Sequence, residues 1–235
     1  MNKPLKVCVV IPAYNEGSVI KDVVKDILST LKKTDMAYEV VVVNDGSKDD
    51  TSKQARSGGA KVINHILNSG AGGATATGLS YANQNNFDYA VTMDADGQHL
   101  SKDALQGLIT ASELEVDLLI GSRLIDTSGM SKVKVLGNQG LSTITKVLFG
   151  VNVTDSQSGL RVFSKRALSQ LRWKTSGYEF CSEMLWRAKQ LDLVIEEFPI
   201  SAIYTDYSKA KGQNNWNAIN IVKSLVRRRL IEMFE

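Results

Sequence analysis

Two carboxylates one residue apart follow a short apolar run near the middle of the chain. They are Asp94 and Asp96, and Gln98 lies two residues further on. If the run is a strand, both acids can face one hard cation where the strand ends, because oxygen ligands suit Mg²⁺ or Mn²⁺. Magnesium keeps waters and shares its coordination shell with substrate phosphates, so these three side chains are a sufficient contribution from the protein. The sequence therefore predicts a metal site at Asp94, Asp96 and Gln98, and a diphosphate substrate.

Other metal-ligating residue types are scarce. Of the two histidines, His99 lies beside the acidic pair and is a further candidate ligand, whereas His65 is interpreted as a surface or loop residue. Neither has a histidine or cysteine partner at zinc spacing. The two cysteines, Cys8 and Cys181, are too few and too far apart in sequence for a disulfide framework or a cysteine-based zinc site. A reducing compartment is therefore expected.

Polar residues also follow three other apolar runs. They are the segments 12–16, 44–47 and 121–123, which read Pro-Ala-Tyr-Asn-Glu, Asn-Asp-Gly-Ser and Gly-Ser-Arg. Each has an ordinary explanation by itself, because Asn-Asp-Gly-Ser is a common turn and helix cap, and Asp-x-Asp also occurs in solvated turns. In a parallel sheet, however, the carboxyl ends of the strands share one edge, and ligands bind there. We therefore expect four adjacent strand ends to meet at one crevice.

Short β-branched runs alternate with stretches of helical spacing through the first half of the chain. In the clearest helix, apolar residues recur at Ile20, Val23, Val24, Ile27, Leu28 and Leu31. Strands are predicted over residues 7–11, 39–43, 61–63, 89–93 and 117–120, and helices over 20–31, 50–57, 73–85 and 102–112. This alternation predicts an α/β fold, with a Rossmann-like, mostly parallel sheet flanked by helices.

Length, composition and charge limit the classes of protein to which this chain can belong. The 235 residues are 43% hydrophobic and 23% charged, which predicts a globular protein with one large core or two modest ones. The formal net charge of +3 is too small to indicate nucleic-acid binding. No segment approaches the roughly 20 apolar residues of a membrane-spanning helix, and no signal peptide is recognised, so a cytoplasmic protein is expected.

Five motifs in chain order carry a resemblance to a known enzyme family. They are residues 10–16 (VIPAYNE), 43–47 (VNDGS), 68–74 (NSGAGGA), 94–99 (DADGQH) and 121–123 (GSR). Together they resemble family 2 glycosyltransferases of the GT-A fold. The branch they resemble most includes dolichol-phosphate mannose synthase and the bacterial polyprenyl-phosphate glycosyltransferases. The resemblance implies a hexosyltransferase that uses a UDP- or GDP-sugar as donor.

The resemblance assigns roles to positions of the donor half. The implied donor-binding residues are Pro12, Ala13, Tyr14, Glu16, Asp45, Asn68, Gly73, Asp94, Ala95 and Arg123. Asp45 is expected to bond the base or ribose, and Arg123 to face a phosphate. Asn68 and the glycines behind it would let the backbone approach the nucleoside. Mg²⁺ or Mn²⁺ on the acidic pair would hold the donor diphosphate. The charges are consistent with this role, because negative carboxylates bind the cation and the cation binds the negative diphosphate.

A second segment resembles the acceptor side of the same family. It is residues 154–163, Thr-Asp-Ser-Gln-Ser-Gly-Leu-Arg-Val-Phe. The implied catalytic residues are Asp96, Arg123 and Asp155. The implied acceptor-binding residues are Lys132, Lys134, Gln157, Ser158, Lys209 and Lys211. The four lysines lie in segments 129–134 and 208–212, which are predicted to be mobile loops that close over the donor.

The acceptor decides what chemistry Asp155 must perform. A sugar hydroxyl is a poor nucleophile at neutral pH and needs a general base, for which Asp155 is the candidate. A lipid phosphate is already ionised and needs only positive charge to bind it. Either displacement inverts the anomeric carbon, as the resemblance implies. Transfer to a polyprenyl or dolichyl phosphate is the preferred interpretation, and transfer to a sugar hydroxyl of a glycan or glycolipid is the alternative.

A doubly wound sheet with acids at its strand ends also suits a different class of protein, a non-catalytic nucleotide-binding or receiver-like module. In a receiver the acids belong after the first and third strands. Asp94 and Asp96 follow the fourth predicted strand instead. Their position argues against the receiver.

The domain prediction is a single GT-A domain over residues 1–235. It has a nucleotide-sugar-binding half at 1–123, an acceptor half at 124–215 and a C-terminal amphipathic helix at 216–235. The apolar stripe of that helix is Ile219, Val222, Val226, Leu230 and Met233, with a basic flank of Lys223, Arg227, Arg228 and Arg229. Such a helix can lie peripherally on the cytoplasmic face of a membrane, contact a membrane-anchored partner subunit, or pack on the domain itself.

Two glutamates in the second half leave a similar choice. Glu179 and Glu183 resemble a helix start of the family, but they lie one helical turn apart and also fit a solvated helix face. Both interpretations stay open at this point.

Overall fold

The computed structural model describes residues 4–203 and 215–232, with the side chains of residues 220–229 in the second range. The strands of the described chain are β1 (Lys6–Ala13), β2 (Ala37–Asn44), β3 (Lys61–Asn64), β4 (Tyr89–Thr92), β5 (Leu118–Ser122), β6 (Arg161–Ser164) and β7 (Ile195–Pro199). Its helices are α1 (Ile20–Leu31), α2 (Thr51–Gly58), α3 (Ala71–Gln84), α4 (Ser101–Glu113), α5 (Lys132–Phe149), α6 (Lys165–Gln170), α7 (Phe180–Gln190) and α8 (Asn215–Glu232).

The strands form one sheet in the order β3-β2-β1-β4-β6-β5-β7. Neighbouring strands are parallel except that β6 runs antiparallel to both β4 and β5. The predicted mostly parallel sheet is therefore confirmed. Each predicted strand and helix of the first half is present, with ends displaced by at most two residues.

The expectation of four adjacent strand ends is wrong in one respect. Strand β6 lies between β4 and β5, and its first residue, Arg161, is opposite Thr92 of β4 and Ile120 of β5. Because β6 is antiparallel, it begins at the edge where β4 and β5 end. The segment that leads into β6 therefore enters the carboxyl edge of the sheet, between the acidic pair and Arg123.

The two faces of the sheet carry separate apolar layers, as the alternation of side chains along a strand requires. On β1, Val7, Val9 and Ile11 pack with α1 and α4, whereas Cys8 and Val10 pack with α3 and the helices of the second half. Both cysteines are free and buried. This sandwich fixes the strand ends from both sides.

Helix α8 packs against α5, and its buried side chains are Ile221 and Leu225. Of the predicted stripe, Val222 is half-buried and packs against the same apolar layer, whereas Val226 is 41% exposed. Among the described side chains of the helix, the buried positions 221 and 225 lie one turn apart in the layer that also contains Cys8 and Val10. The side chains of Ile219, Leu230 and Met233 lie outside the described residues. Within the part of the chain that the structure describes, no helix is long and apolar enough to cross a membrane.

Candidate functional site

The loops after β1 and β2 are bonded to each other. The Asn15 amide donates to Ser47 Oγ at 2.9 Å, and Asn15 Oδ1 accepts from the Lys48 amide at 2.9 Å. Asn15 has a φ of 54°, in the left-handed region that asparagine tolerates better than most residues. The next amide, of Glu16, donates to Thr51 Oγ1 at 2.8 Å. One rigid wall of the site is formed in this way.

The predicted nucleoside-pocket residues are distributed along that wall. Pro12 and Ala13 end β1, and the Tyr14 side chain is 40% exposed. Glu16 is buried, and its charge contributes to raising the pKa of Asp96, so the wall reaches the acidic pair. The structure thus brings Tyr14 and Glu16 to the edge where the acids lie. Their roles toward a nucleoside remain predictions.

Asp45 is buried, and its carboxylate is saturated by groups of the chain itself. It accepts hydrogen bonds from the Ser69 amide at 2.8 Å, Ser69 Oγ at 2.7 Å and the Gly70 amide at 2.8 Å, and it contacts His65 Nδ1 at 2.7 Å. Burial disfavours the charged form, but these hydrogen bonds outweigh it and lower the pKa of Asp45. The observed contacts make Asp45 the organiser of the loop before α3.

His65 is a residue whose contribution the sequence did not reveal. It lies in the loop after β3, as interpreted, but its ring joins Asp45 to Thr77 Oγ1, which is 3.0 Å from Nε2. This contact could have been expected only from the fact that residues 45 and 65 follow neighbouring parallel strands. The sequence does not show which strands are neighbours.

The glycines at the start of α3 are explained by another part of the chain. The Gly72 amide donates to the Ser176 carbonyl at 2.7 Å, and a Cβ on Gly70 would collide with the same carbonyl oxygen. Backbone near Ser176 therefore makes a close approach to Gly70 and Gly72. Asn68 is exposed, and Gly73 lies in the first turn of α3. Their donor contacts remain predictions.

The acidic pair lies directly after β4, and Ala95 between its members is buried. Asp94 Oδ2 is 3.0 Å from His99 Nε2, and half of the Asp94 side chain is exposed. Asp96 accepts from the Gln98 amide at 3.0 Å and from Gln98 Nε2 at 2.7 Å. The predicted proximity of these three side chains is thus observed.

The two acids have opposite pKa shifts. Desolvation in the cleft opposes ionisation of Asp94, but the His99 hydrogen bond and the charges of His99, Arg123 and Arg161 outweigh it and lower its pKa. Desolvation and the negative charge of Asp94 raise the pKa of Asp96. The neighbouring Asp94 thus places a negative potential at Asp96.

This donor set fits a divalent cation. A cation would neutralise the potential that raises the pKa of Asp96, and carboxylate and amide oxygens are suitable ligands for Mg²⁺ or Mn²⁺. No three histidine, cysteine, aspartate or glutamate side chains of the described chain are grouped closely enough to hold a metal. The remaining ligands would therefore come from Gln98, water and a bound diphosphate.

Arg123 and Asp155 form a bidentate ion pair. Arg123 Nε is 2.7 Å from Asp155 Oδ2, and Nη2 is 3.0 Å from Oδ1. The Asp155 side chain is completely buried, whereas 18% of the Arg123 side chain is exposed. The Gln157 amide also donates to Asp155 at 3.3 Å. Asp155 is therefore occupied in holding Arg123 at the edge of the sheet.

Glu197 is a second residue that the motifs did not assign to the site. Its carboxylate accepts from the amides of Thr154 at 2.8 Å and Asp155 at 3.1 Å. It lies on β7, opposite Ile120 of β5. Glu197 therefore holds the backbone on which Asp155 is mounted.

The acceptor candidates occupy different environments. Lys132 and Lys134 are exposed in the first turn of α5, so the prediction that residues 129–134 form a loop is wrong from 132 onward. Ser131 caps the helix by accepting from the Lys134 amide at 3.4 Å. Gln157 bonds Ser182 Oγ at 3.2 Å, and Ser158 is completely buried. Lys209, Lys211 and the segment 208–212 lie outside the described residues.

Glu183 is completely buried, so the solvated-face interpretation is wrong for this residue. It accepts from the amides of Lys174 at 3.1 Å and Thr175 at 2.8 Å, and it pairs with Arg187 and Arg228 at 3.6 Å. Burial opposes its ionisation, but these hydrogen bonds and the Arg228 charge lower its pKa. Glu183 thereby connects α7 to α8 and to the backbone that covers the start of α3.

Comparison with known proteins gives a consistent result. The family described as Glycosyl transferase family 2 matches residues 8–172. The chain is 42% identical to a UDP-N-acetylglucosamine--dolichyl-phosphate N-acetylglucosaminyltransferase of Methanococcus voltae, over 87% of this chain and 88% of the relative. It is 28% identical to an undecaprenyl-phosphate mannosyltransferase of Micrococcus luteus, over 88% of this chain and 87% of the relative.

Solved structures confirm the predicted GT-A fold. The glucosyl-3-phosphoglycerate synthase of Mycobacterium tuberculosis, solved with Mn²⁺, UDP and glucosyl-3-phosphoglycerate, superposes with a TM-score of 0.72. The superposition covers 97% of this chain and 79% of that chain at 19% sequence identity. At this identity the likeness establishes the fold.

Proposed function

Because the chain belongs to glycosyl transferase family 2, we propose that it transfers a sugar from a UDP- or GDP-sugar to a polyprenyl or dolichyl phosphate. Family membership makes the chain a glycosyltransferase and sets aside the receiver-like module. The relatives named for dolichyl and undecaprenyl phosphate support a lipid-phosphate acceptor. A screen of UDP- and GDP-sugars identifies the sugar that is transferred.

One observation carries the choice of acceptor: Asp155 is completely buried and paired with Arg123 through both carboxylate oxygens. A general base must reach the proton that it removes, directly or through one water. A carboxylate in this position is poorly placed for that task. A lipid phosphate needs no base, so the ion pair supports a phosphate nucleophile.

The acidic pair and Arg123 divide the work at the donor. When bound, a divalent cation on Asp94, Asp96 and Gln98 would stabilise the charge of the departing nucleoside diphosphate. Arg123, held in place by Asp155, offers positive charge to a phosphate at the same edge. A lipid phosphate oxygen forms a bond to the anomeric carbon while the bond from that carbon to the diphosphate breaks. The nucleoside diphosphate leaves with the electron pair, and the configuration inverts.

A membrane-bound acceptor requires the chain to work at a lipid surface. The start of α5 supports such contact, because Val133 is 74% and Leu136 73% exposed beside the exposed Lys132 and Lys134. Apolar side chains flanked by lysines are suited to the interface of an anionic membrane. We therefore include peripheral membrane association in the proposal.

The test is a donor screen with purified protein and Mg²⁺ or Mn²⁺. UDP- and GDP-sugars are offered with polyprenyl phosphate, with the matching polyprenol that lacks the phosphate, and with soluble sugars. We expect release of nucleoside diphosphate and a glycosylated lipid only with polyprenyl phosphate, and no turnover in excess chelator. Transfer to polyprenol or to a soluble sugar, without transfer to polyprenyl phosphate, would establish the hydroxyl alternative instead.

A further inference from the structure

We propose that Gly159 is a positioning residue for Asp94: its missing side chain leaves the space in which the Asp94 carboxylate lies. The inference rests on the proposed function insofar as that function assigns a cation to Asp94. It gives a role to the glycine of segment 154–163, beside a candidate cation ligand that precedes it by 65 residues.

The space at Gly159 is already filled. A Cβ built on Gly159 would lie 2.5 Å from Asp94 Cγ and closer still to both carboxylate oxygens. Carbon atoms in favourable contact are about 3.5–4.0 Å apart, so an alanine here cannot coexist with the observed position of Asp94. The φ of Gly159 is outside the left-handed region, so its conformation alone does not require glycine.

The backbone at Gly159 is not free to retreat. Its carbonyl accepts from Thr92 Oγ1 at 2.8 Å. Just before it, the carbonyls of Ser158 and Ser156 accept from the buried Arg161 guanidinium at 3.0 and 2.7 Å. These bonds fix the segment from β4 and from β6. The Asp94 side chain is therefore the part that must move.

Asp94 can move only at the expense of its present contacts. Its carboxylate is 3.0 Å from His99 Nε2, and the His99 side chain is 98% buried, because only 2% of its surface is exposed. Half of the Asp94 side chain faces solvent, so rotation away from residue 159 is open to it. A methyl group at 159 should thus preserve the fold while removing the carboxylate from His99 and from the cation site.

One short segment consequently sets both charged groups of the site. Asp155, at its start, holds Arg123, and Gly159, at its end, admits Asp94. Arg123 precedes Asp155 by 32 residues, and Asp94 precedes Gly159 by 65. The segment fixes the separation between the acidic pair and the arginine.

The first test measures Mn²⁺ binding by electron paramagnetic resonance, alone and with UDP or GDP. The matched control is Gly140→Ala on α5, where a Cβ has no heavy atom within 4 Å. We expect Gly159→Ala to weaken Mn²⁺ binding by about 10- to 100-fold, the effect typical of residues that orient metal ligands. Gly140→Ala should bind as the wild type does. Equal Mn²⁺ affinity of Gly159→Ala and wild type would overturn the inference.

The second test needs no metal. The chain has only two histidines, so the ring nitrogen signals of His65 and His99 are easily assigned by NMR. In Gly159→Ala the His99 signals should shift, and those of His65 should stay unchanged. Unchanged His99 signals would overturn the role of Gly159. Absence of Mn²⁺ binding to the wild type would instead overturn the cation in the proposed function, so the two failures are distinguishable.

A double-mutant cycle, with Tm as the measured quantity, covers the case in which Gly159→Ala destabilises the fold. If the disturbance comes from Asp94, any decrease in Tm caused by Gly159→Ala should disappear in an Asp94→Ala background. An equal decrease in both backgrounds would show that another contact is responsible, and would overturn the inference.

Discussion

Asp45 and Asp96 both follow strands at the carboxyl edge of the sheet, yet their surroundings differ. Three residues from another loop, His65, Ser69 and Gly70, bond the Asp45 carboxylate, and its pKa is lowered. Asp96 is bonded by Gln98, its neighbour in the same turn, and desolvation and Asp94 raise its pKa. Distant parts of the chain therefore supply hydrogen-bond partners to Asp45, whereas Asp96 accepts its hydrogen bonds from Gln98 in its own turn.

This difference separates structure from chemistry within similar motifs. Where backbone and side-chain donors surround a carboxylate, they stabilise its charged form, and the carboxylate in turn holds their loop in place. A carboxylate next to a like charge is typical of a functional site, because a bound cation can relieve the repulsion. We infer that the turn after β2 builds the pocket and that the turn after β4 performs the chemistry.

The strongest test of this comparison is Asp96→Asn, which keeps the shape of the side chain and deletes its charge. We expect turnover to fall by about 1,000-fold, equivalent to about 4 kcal/mol of transition-state stabilisation. Tm should not fall, because the substitution removes a charge that desolvation and Asp94 disfavour in the folded state. The control is Asp26→Asn, an exposed position on α1. Steady-state rates and thermal melts provide the readout. Full turnover of Asp96→Asn would break the distinction between the two turns.

The next effect concerns Arg123 and Asp155, which should behave as one unit. Arg123→Gln is expected to lower turnover by about 100-fold, the effect of losing one charge-stabilising donor. If Asp155 acts through Arg123, adding Asp155→Asn should lower turnover little further, and the double-mutant cycle should be strongly non-additive. A general base would give a different result. Additive losses, with a further decrease of about 100-fold or more from Asp155→Asn, would favour the hydroxyl acceptor.

Asp45 predicts a pH effect on stability. Its folded pKa lies below its ordinary value of 3.8, so the unfolded chain binds the proton more readily. The stabilisation is therefore complete above the unfolded pKa and is lost as pH falls through the folded pKa. Asp45→Asn should be less stable than wild type by about 1–3 kcal/mol at pH 7, and the difference should shrink below pH 3.8.

Urea unfolding at a series of pH values measures this difference. Asp26→Asn again serves as the exposed control, and its urea midpoint should match that of wild type at pH 7. An Asp45→Asn variant as stable as wild type at pH 7 would show that the hydrogen bonds to Asp45 contribute little, and would weaken the structural half of the comparison.

The smallest effect should come from exposed charge. Replacing Lys132 and Lys134 with alanine should raise the KM for polyprenyl phosphate about two- to five-fold, because each exposed ion pair contributes only about 0.2–1 kcal/mol. Lys146, exposed in the last turn of the same helix, is the matched control. An unchanged KM in vesicle assays would remove these lysines from the acceptor site.

The sequence alone determined the elements and the local chemistry. Periodicity located each strand and helix of the first half, because apolar spacing is a property of neighbouring residues. The acidic pair and Gln98 could also be placed together, since they lie within five residues of one another on one turn. Segments governed by local patterns were therefore predictable. The second half was predicted less completely, because no helix or strand was predicted at α5, β6 or α6, and the Ser131 cap of α5 was not recognised as a helix start.

The tertiary structure decided which distant residues meet. Strand β6 enters the sheet antiparallel between β4 and β5, and this places Asp155 against Arg123 and Gly159 against Asp94. Strand order depends on which apolar faces pack best over the whole sheet, and hydropathy along the chain does not encode it. For the same reason the partnership of His65 with Asp45 became visible only once β2 and β3 were paired.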